Sequence, residues 1–76
     1  MAVKQYALCL HNQFGGTIDG SDLVPGLIYA CVAIERGALR IVDESGEDFL
    51  YPASAFRLLS EEESAVLGQS LARDVA

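Results

Sequence analysis

In 76 residues there is no tryptophan, one histidine, two prolines and two cysteines. Each scarcity excludes something. Cys9 and Cys31 stand in neither a C-x-x-C nor any other metal spacing, so a disulfide scaffold or zinc module is not expected. Five basic residues face eleven acidic ones, for a net charge of −6. They form no stripe that could neutralise phosphate, which argues against direct binding of DNA or RNA. The same sign argues against an anionic membrane surface. No apolar run approaches the roughly 18 residues of a membrane span. The opening Met-Ala-Val-Lys-Gln-Tyr lacks the charge-then-apolar layout of a signal peptide. A cytoplasmic protein with reduced thiols is the resulting expectation.

Apolar residues, by contrast, are plentiful: 51% of the chain, with a mean hydropathy of +0.28. The length fits one domain. A domain this small buries only roughly 60% of the surface its unfolded chain exposes. Either alanine inflates the statistics of a well-filled small core, or apolar surface is left for a second copy or a protein partner. The acidity then keeps an apolar little protein in solution.

Period-2 patterning runs through most of the chain. From Val3 to Leu10, Tyr6, Leu8 and Leu10 fall on one face and Ala7 and Cys9 on the other, as in a strand. Residues 13–26 hold Gly15, Gly16, Gly20, Gly26, Pro25, Asp19 and Asp22, the composition of a long loop. Thr17, Ile18 and Leu23 are the residues in it that can dip back to the core. Leu27 to Glu35 reads as a second strand, reversed at Arg36-Gly37. Leu39 to Asp43 and Glu47 to Tyr51 form a hairpin about Glu44-Ser45-Gly46, with Leu39, Ile41, Phe49 and Tyr51 facing the core. Pro52 cannot donate to a ladder and ends the strand. Ala53-Ser54-Ala55 fits one 3₁₀ turn, and Phe56 to Leu59 a last short strand. Tyr29, Ile41, Tyr51 and Phe56 are expected to share one core.

A strand ending in Tyr51-Pro52, followed by a 3₁₀ turn and a short strand opened by Phe56, resembles the SH3-like barrel. Pro25-Gly26-Leu27-Ile28-Tyr29, Arg40-Ile41-Val42-Asp43 and Ser45 through Pro52 look like small bacterial and phage SH3-like proteins of uncharacterised function. The resemblance covers roughly Tyr6 to Leu59 and implies a fold rather than an activity. The chain departs from peptide-binding SH3 domains: it has no tryptophan and no tyrosine-rich motif opening the first loop. Ala55 stands where the groove tyrosine of those domains is usual.

Ser60-Glu61-Glu62-Glu63 reads as a capping box that opens a helix, and glutamates at its start suit the macrodipole. Leu67, Leu71 and Val75 fall on one face of it. The expected architecture is all-β: an SH3-like barrel of about five strands over 1–59, then a C-terminal amphipathic α-helix over 60–76 in the same single domain.

The chemistry-bearing residues are few. Cys9 and His11, two apart, share one side of a strand; a Cys-His pair is weighed there against a buried apolar cysteine beside a strand-end histidine. Asp43, Glu44, Ser45, Glu47 and Asp48 crowd one turn without the ligand spacing of an EF-hand, so a solvated acidic tip is expected rather than calcium. Gly15-Gly16 lacks the lysine of a phosphate loop. Phe14 is either a core plug or an exposed contact.

These readings favour a non-enzymatic protein-interaction or accessory module, a homodimer in its simplest form, with Phe14, Leu67, Leu71 and Val75 as the interaction residues. No catalytic residue, metal, cofactor or small-molecule substrate is evident. The alternative is an acidic inhibitor or mimic that occupies a basic nucleic-acid-binding protein. Acids gathered on one face would favour the mimic, an apolar patch the module.

Overall fold

The computed structural model describes residues 5–67. Five antiparallel strands make one sheet: β1 (Gln5–Cys9), β2 (Ile28–Glu35), β3 (Ala38–Val42), β4 (Asp48–Pro52) and β5 (Phe56–Leu58). A helix, α1 (61–67), follows. The spatial order is β4-β3-β2-β1-β5. Among the described residues no helix is long and apolar enough to cross a membrane.

The expected barrel is an open sheet. β4 and β5 are its outer strands, and no ladder joins them. The reason lies between them. β4 ends at Pro52, which has no N–H to donate, and the 3₁₀ turn Ala53–Ala55 carries the chain across to β1 instead of doubling it back. That crossing also forces a curl. Outer strands of a flat five-stranded sheet would lie about 19 Å apart. The four peptide links from Pro52 to Phe56 reach at most about 15 Å. A bulge in β2 between Cys31 and Ala33 supplies part of the bend.

The concave face is the core. Ala7 and Cys9 of β1, Tyr29 and Cys31 of β2, Leu39 and Ile41 of β3, Tyr51 of β4 and Phe56 of β5 are buried in one cluster with Leu23 and Ala55. Tyr29, Ile41, Tyr51 and Phe56 therefore do share a core. The register shows why the alternation works: Ala7 faces Tyr29, Cys31 faces Ile41, and Leu39 faces Tyr51. Phe49 is on this same face but at its rim, 48% exposed, where a buried position was expected.

The helix begins as its capping sequence requires. The Glu63 N–H donates to Ser60 Oγ at 3.1 Å, and the Ser60 N–H donates to Glu63 Oε1 at 2.8 Å. The Tyr6 N–H donates to Ser64 Oγ at 3.4 Å, tying α1 to β1.

Candidate functional site

The long loop between β1 and β2 is stitched to the sheet. At its neck, the Cys9 N–H donates to the Leu27 carbonyl at 2.9 Å and the Gly26 N–H to the Cys9 carbonyl at 2.8 Å. The Asn12 side-chain amide donates to the Leu23 carbonyl at 3.0 Å, and Leu23 is fully buried as the loop's own plug. Gly20 is buried because the chain crosses itself there: a Cβ on Gly20 would lie 2.0 Å from the Asn12 carbonyl oxygen. Only glycine permits that approach. Thr17 and Ile18, by contrast, stay at the surface.

A second set of bonds fixes the loop to the β3–β4 hairpin. The Glu44 N–H donates to the Asp22 carbonyl at 2.9 Å. The Tyr29 hydroxyl accepts the Val24 N–H at 2.8 Å and donates to Glu44 Oε2 at 2.7 Å. Burial, then the Glu44 carboxylate, pushes the Tyr29 phenol up to about 12.

Asp43 lies beneath this junction, only 5% exposed. Its Oδ1 accepts the Ser45 hydroxyl at 2.5 Å and the Ser45 N–H at 3.0 Å; its Oδ2 accepts the Tyr51 hydroxyl at 2.5 Å. Burial by itself would raise the carboxyl, but the Ser45 and Tyr51 donors outweigh it and hold Asp43 below the ordinary carboxylate range. Tyr51 is pushed above its ordinary value, by burial first and by Asp43 next. The hairpin tip is thus not the wholly solvated one that its composition suggested. Its first acid is a core acceptor that closes the turn, with the Gly46 N–H donating to the Asp43 carbonyl at 3.0 Å and Gly46 at φ 85°.

Between the loop and β4 opens a cleft of about 370 Å³. Thr17, Ile18, Asp19 and Asp22 line it from the loop, Asp43 from the hairpin, and Phe49, Leu50 and Tyr51 from β4. Three carboxylates stand among apolar walls, with no lysine or arginine in the lining. Leu50 is 42% exposed, and β4 is an outer strand. Aspartates on an apolar cleft suit a cation with an apolar stem or a base-bearing side chain. Among the described residues no three His, Cys, Asp or Glu side chains converge as metal ligands.

Of the sequence-based interaction residues, Phe14 packs against the core. Its ring centroid lies 5.5 Å from that of His11 and 5.8 Å from that of Tyr51. Leu67 lines a second, shallower groove of about 590 Å³, with Ile28, Arg57, Leu59, Glu62, Glu63 and Val66. Leu71 and Val75 lie outside the described residues. The structure does not bring Phe14 and Leu67 into one site. The Cys9 thiol is buried, donates to the His11 carbonyl at 3.3 Å, and is raised by burial, so it is a packed group rather than a thiolate facing the histidine ring. No disulfide joins Cys9 to Cys31. Their strands are neighbours, but Cys31 stands opposite Gln5. Four residues of strand, about 13 Å, separate Gln5 from Cys9, beyond the ~7 Å limit for bridging.

None of the cleft residues Ile18, Asp19, Asp22 and Phe49 was read as a site residue: Ile18 and Phe49 read as core-facing, Asp19 and Asp22 as loop-forming. A signal for Asp43 was there: an Asp-x-Ser turn directly after a strand, the pattern in which an aspartate accepts from the backbone two residues on. Nothing in the sequence pairs Asp22 with Phe49, which are joined only across the tertiary fold. In comparisons with protein-family models, curated proteins and solved structures, nothing matches this chain.

Proposed function

We propose that the protein is a non-enzymatic protein-interaction module, built on an open, curled relative of the SH3-like barrel and working in the cytoplasm. The observation that carries this reading is β4: an outer strand with Phe49 and Leu50 each about half exposed, beside a cleft with apolar walls. Small monomeric proteins rarely leave such a surface without a use for it. The polar groups of the cleft support the reading too. Asp43 is occupied by the Ser45 and Tyr51 hydroxyls, and because its carboxyl is held below the ordinary range it is a weak base toward either. Self-association belongs to the same reading, through the groove of Ile28, Leu59, Val66 and Leu67 beside α1.

The test is affinity capture from the native cell with the full chain, beside a Phe49→Ser/Leu50→Ser variant whose melting is checked first. A partner retained by the parent and lost by the variant supports the module. Failure of the parent to retain any protein removes the reading.

A second reading keeps a specific observation in its favour. Asp19, Asp22 and Asp43 gather on one cleft, and Glu44, Glu47 and Asp48 adjoin it on the hairpin. An acidic mimic of nucleic acid uses such a surface against a basic protein. Competition between captured partner and DNA separates the two: a mimic is displaced by DNA, whereas a module that binds elsewhere on its partner is not.

A further inference from the structure

Building on the interaction reading, we infer that the outer edge of β4 takes up an extended, arginine- or lysine-bearing segment of a protein partner as an added strand, with its cations received by the neighbouring acidic cleft. The register sets the edge. The Asp43 N–H donates to the Glu47 carbonyl at 3.1 Å, so 43 and 47 are a hydrogen-bonded pair. Alternation then makes Ile41–Phe49 and Leu39–Tyr51 the bonded pairs facing β3. The N–H and C=O groups of Asp48 and Leu50 are directed the other way, along the outer edge. Pro52 has no N–H to offer, so the ladder available to a guest runs from Asp48 to Tyr51.

Side chains on this edge are arranged for a guest strand. Phe49 and Leu50 project to opposite faces, and each is about half exposed. Alternate side chains of an added strand would cover one and then the other. Natural edges are guarded by charge, proline or brevity. Pro52 guards only the end of β4, and Asp48 is partly engaged by Arg40 at 3.7 Å. The other outer strand, β5, has three residues and carries the exposed Arg57. It offers a shorter ladder, and in the groove beside it Glu63 is already paired with Arg57 at 3.6 Å.

Charge selects the occupant. Asp19, Asp22 and Asp43 line the cleft next to Phe49 and Leu50, unrelieved by any basic side chain in the lining. Asp43 is a buried anion whose hydrogen-bond donors, from Ser45 and Tyr51, are all neutral. A second copy docking edge to edge would bring the same acids against these, on a chain of net charge −6. An arginine or lysine on an extended segment meets them with opposite charge and lays its methylenes on the Ile18 and Phe49 walls.

Amide chemical-shift mapping on the full chain tests this with a capped peptide that alternates arginine with valine. The controls are its glutamate-for-arginine counterpart and the same basic peptide N-methylated at alternate residues. The expected result is shifts at 17–22 and 48–51, none with the glutamate peptide, and loss of binding on N-methylation. The Asp19→Asn/Asp22→Asn variant should bind the basic peptide about tenfold more weakly, equivalent to two modest charge contacts, with its own spectrum otherwise unchanged. Shifts confined to other residues, undiminished binding of the N-methylated peptide, or no shifts at high micromolar peptide would each overturn the inference. A native partner that the asparagine variant captures as well as the parent does would overturn it as well, while leaving the interaction reading in place.

Discussion

Asp43 accepts hydrogen bonds from Ser45 and Tyr51 on both of its oxygens, and so joins the turn of the hairpin to the strand that leaves it. Because its carboxyl titrates below the ordinary value in the fold, the sign of its contribution is fixed. The stability it supplies is fully present above the unfolded value of about 3.9 and is lost as pH falls through the folded one. Asp43→Asn should cost about 1.5–3 kcal/mol at neutral pH, the range for hydrogen bonds to a charged group, and should flatten the acid limb of stability. Urea unfolding of both proteins from neutral pH down to about pH 2 measures this; a parallel loss in the two would assign the acid limb to another carboxylate. Glycines provide a second comparison at this scale. Gly20→Ala places a Cβ against the Asn12 backbone and should destabilise by about 1–3 kcal/mol. Gly15, with nothing within 4 Å of its added Cβ, should tolerate alanine with no loss or a gain of up to about 1 kcal/mol. Thermal melts of the two variants give the contrast directly.

Tyr29 belongs to a strand but works as a fastener between elements. Its hydroxyl takes the Val24 N–H from the long loop and gives its proton to Glu44 on the hairpin. Tyr29→Phe leaves that N–H without its acceptor and should cost about 1–3 kcal/mol, with faster hydrogen exchange at Val24 than at the Cys9 amide of the neck. The phenol is pushed up to about 12, so the proton it keeps supports the fold below the ordinary value of about 10. That support is lost as pH rises towards 12. An alkaline titration followed by tyrosinate absorbance should show a late step, and Tyr29→Phe should remove one phenol from it while Tyr51, also raised, still titrates late. The last strand rests on one side chain in the same way. Phe56 is buried against Tyr51, with ring centroids 6.2 Å apart, and Phe56→Ala should cost about 3–5 kcal/mol. A melt within a few degrees of the parent would show that β5 does not depend on it.

At the scale of the molecule, an open sheet leaves two consequences. The curl buries one face and leaves β4 as an outer strand, and α1 lies beside Ile28, Arg57 and Leu59. Ile28, Val66 and Leu50 remain among the exposed large side chains. Self-association through the groove beside α1 predicts a dimer in light scattering at high micromolar concentration. Val66→Glu with Leu67→Glu should return the chain to a monomer without lowering its melting by more than a few degrees. A parent whose mass stays that of one chain over the whole concentration range would rule the dimer out. A dimer that survives both substitutions would move the interface to a strand edge.

Local chemistry carried much of this fold in the sequence itself. The alternation of Leu39, Ile41 and Tyr51 with Arg40 and Leu50 told which side faces inward, because side chains in a strand point to opposite faces. Arg36-Gly37 and Ser45-Gly46 marked reversals, since glycine reaches φ of 70° and 85° there without strain. Ser60 and Glu63 announced the helix start through bonds that span three residues. Tertiary structure decided the rest, wherever partners lie far apart in the chain. Whether the sheet closes depended on how β5 pairs with β1, some fifty residues away, and not on the pattern within either strand. Phe49 shares the inward face of Tyr51, yet stands about half exposed because none of the described residues covers it at that rim. The acidic cleft exists because the Glu44–Asp22 backbone bond and the Tyr29 hydroxyl bring a loop of turn-forming residues against a hairpin of alternating ones. Periodicity reports which face a side chain takes; what it meets there is set by long-range pairing that no local spacing encodes.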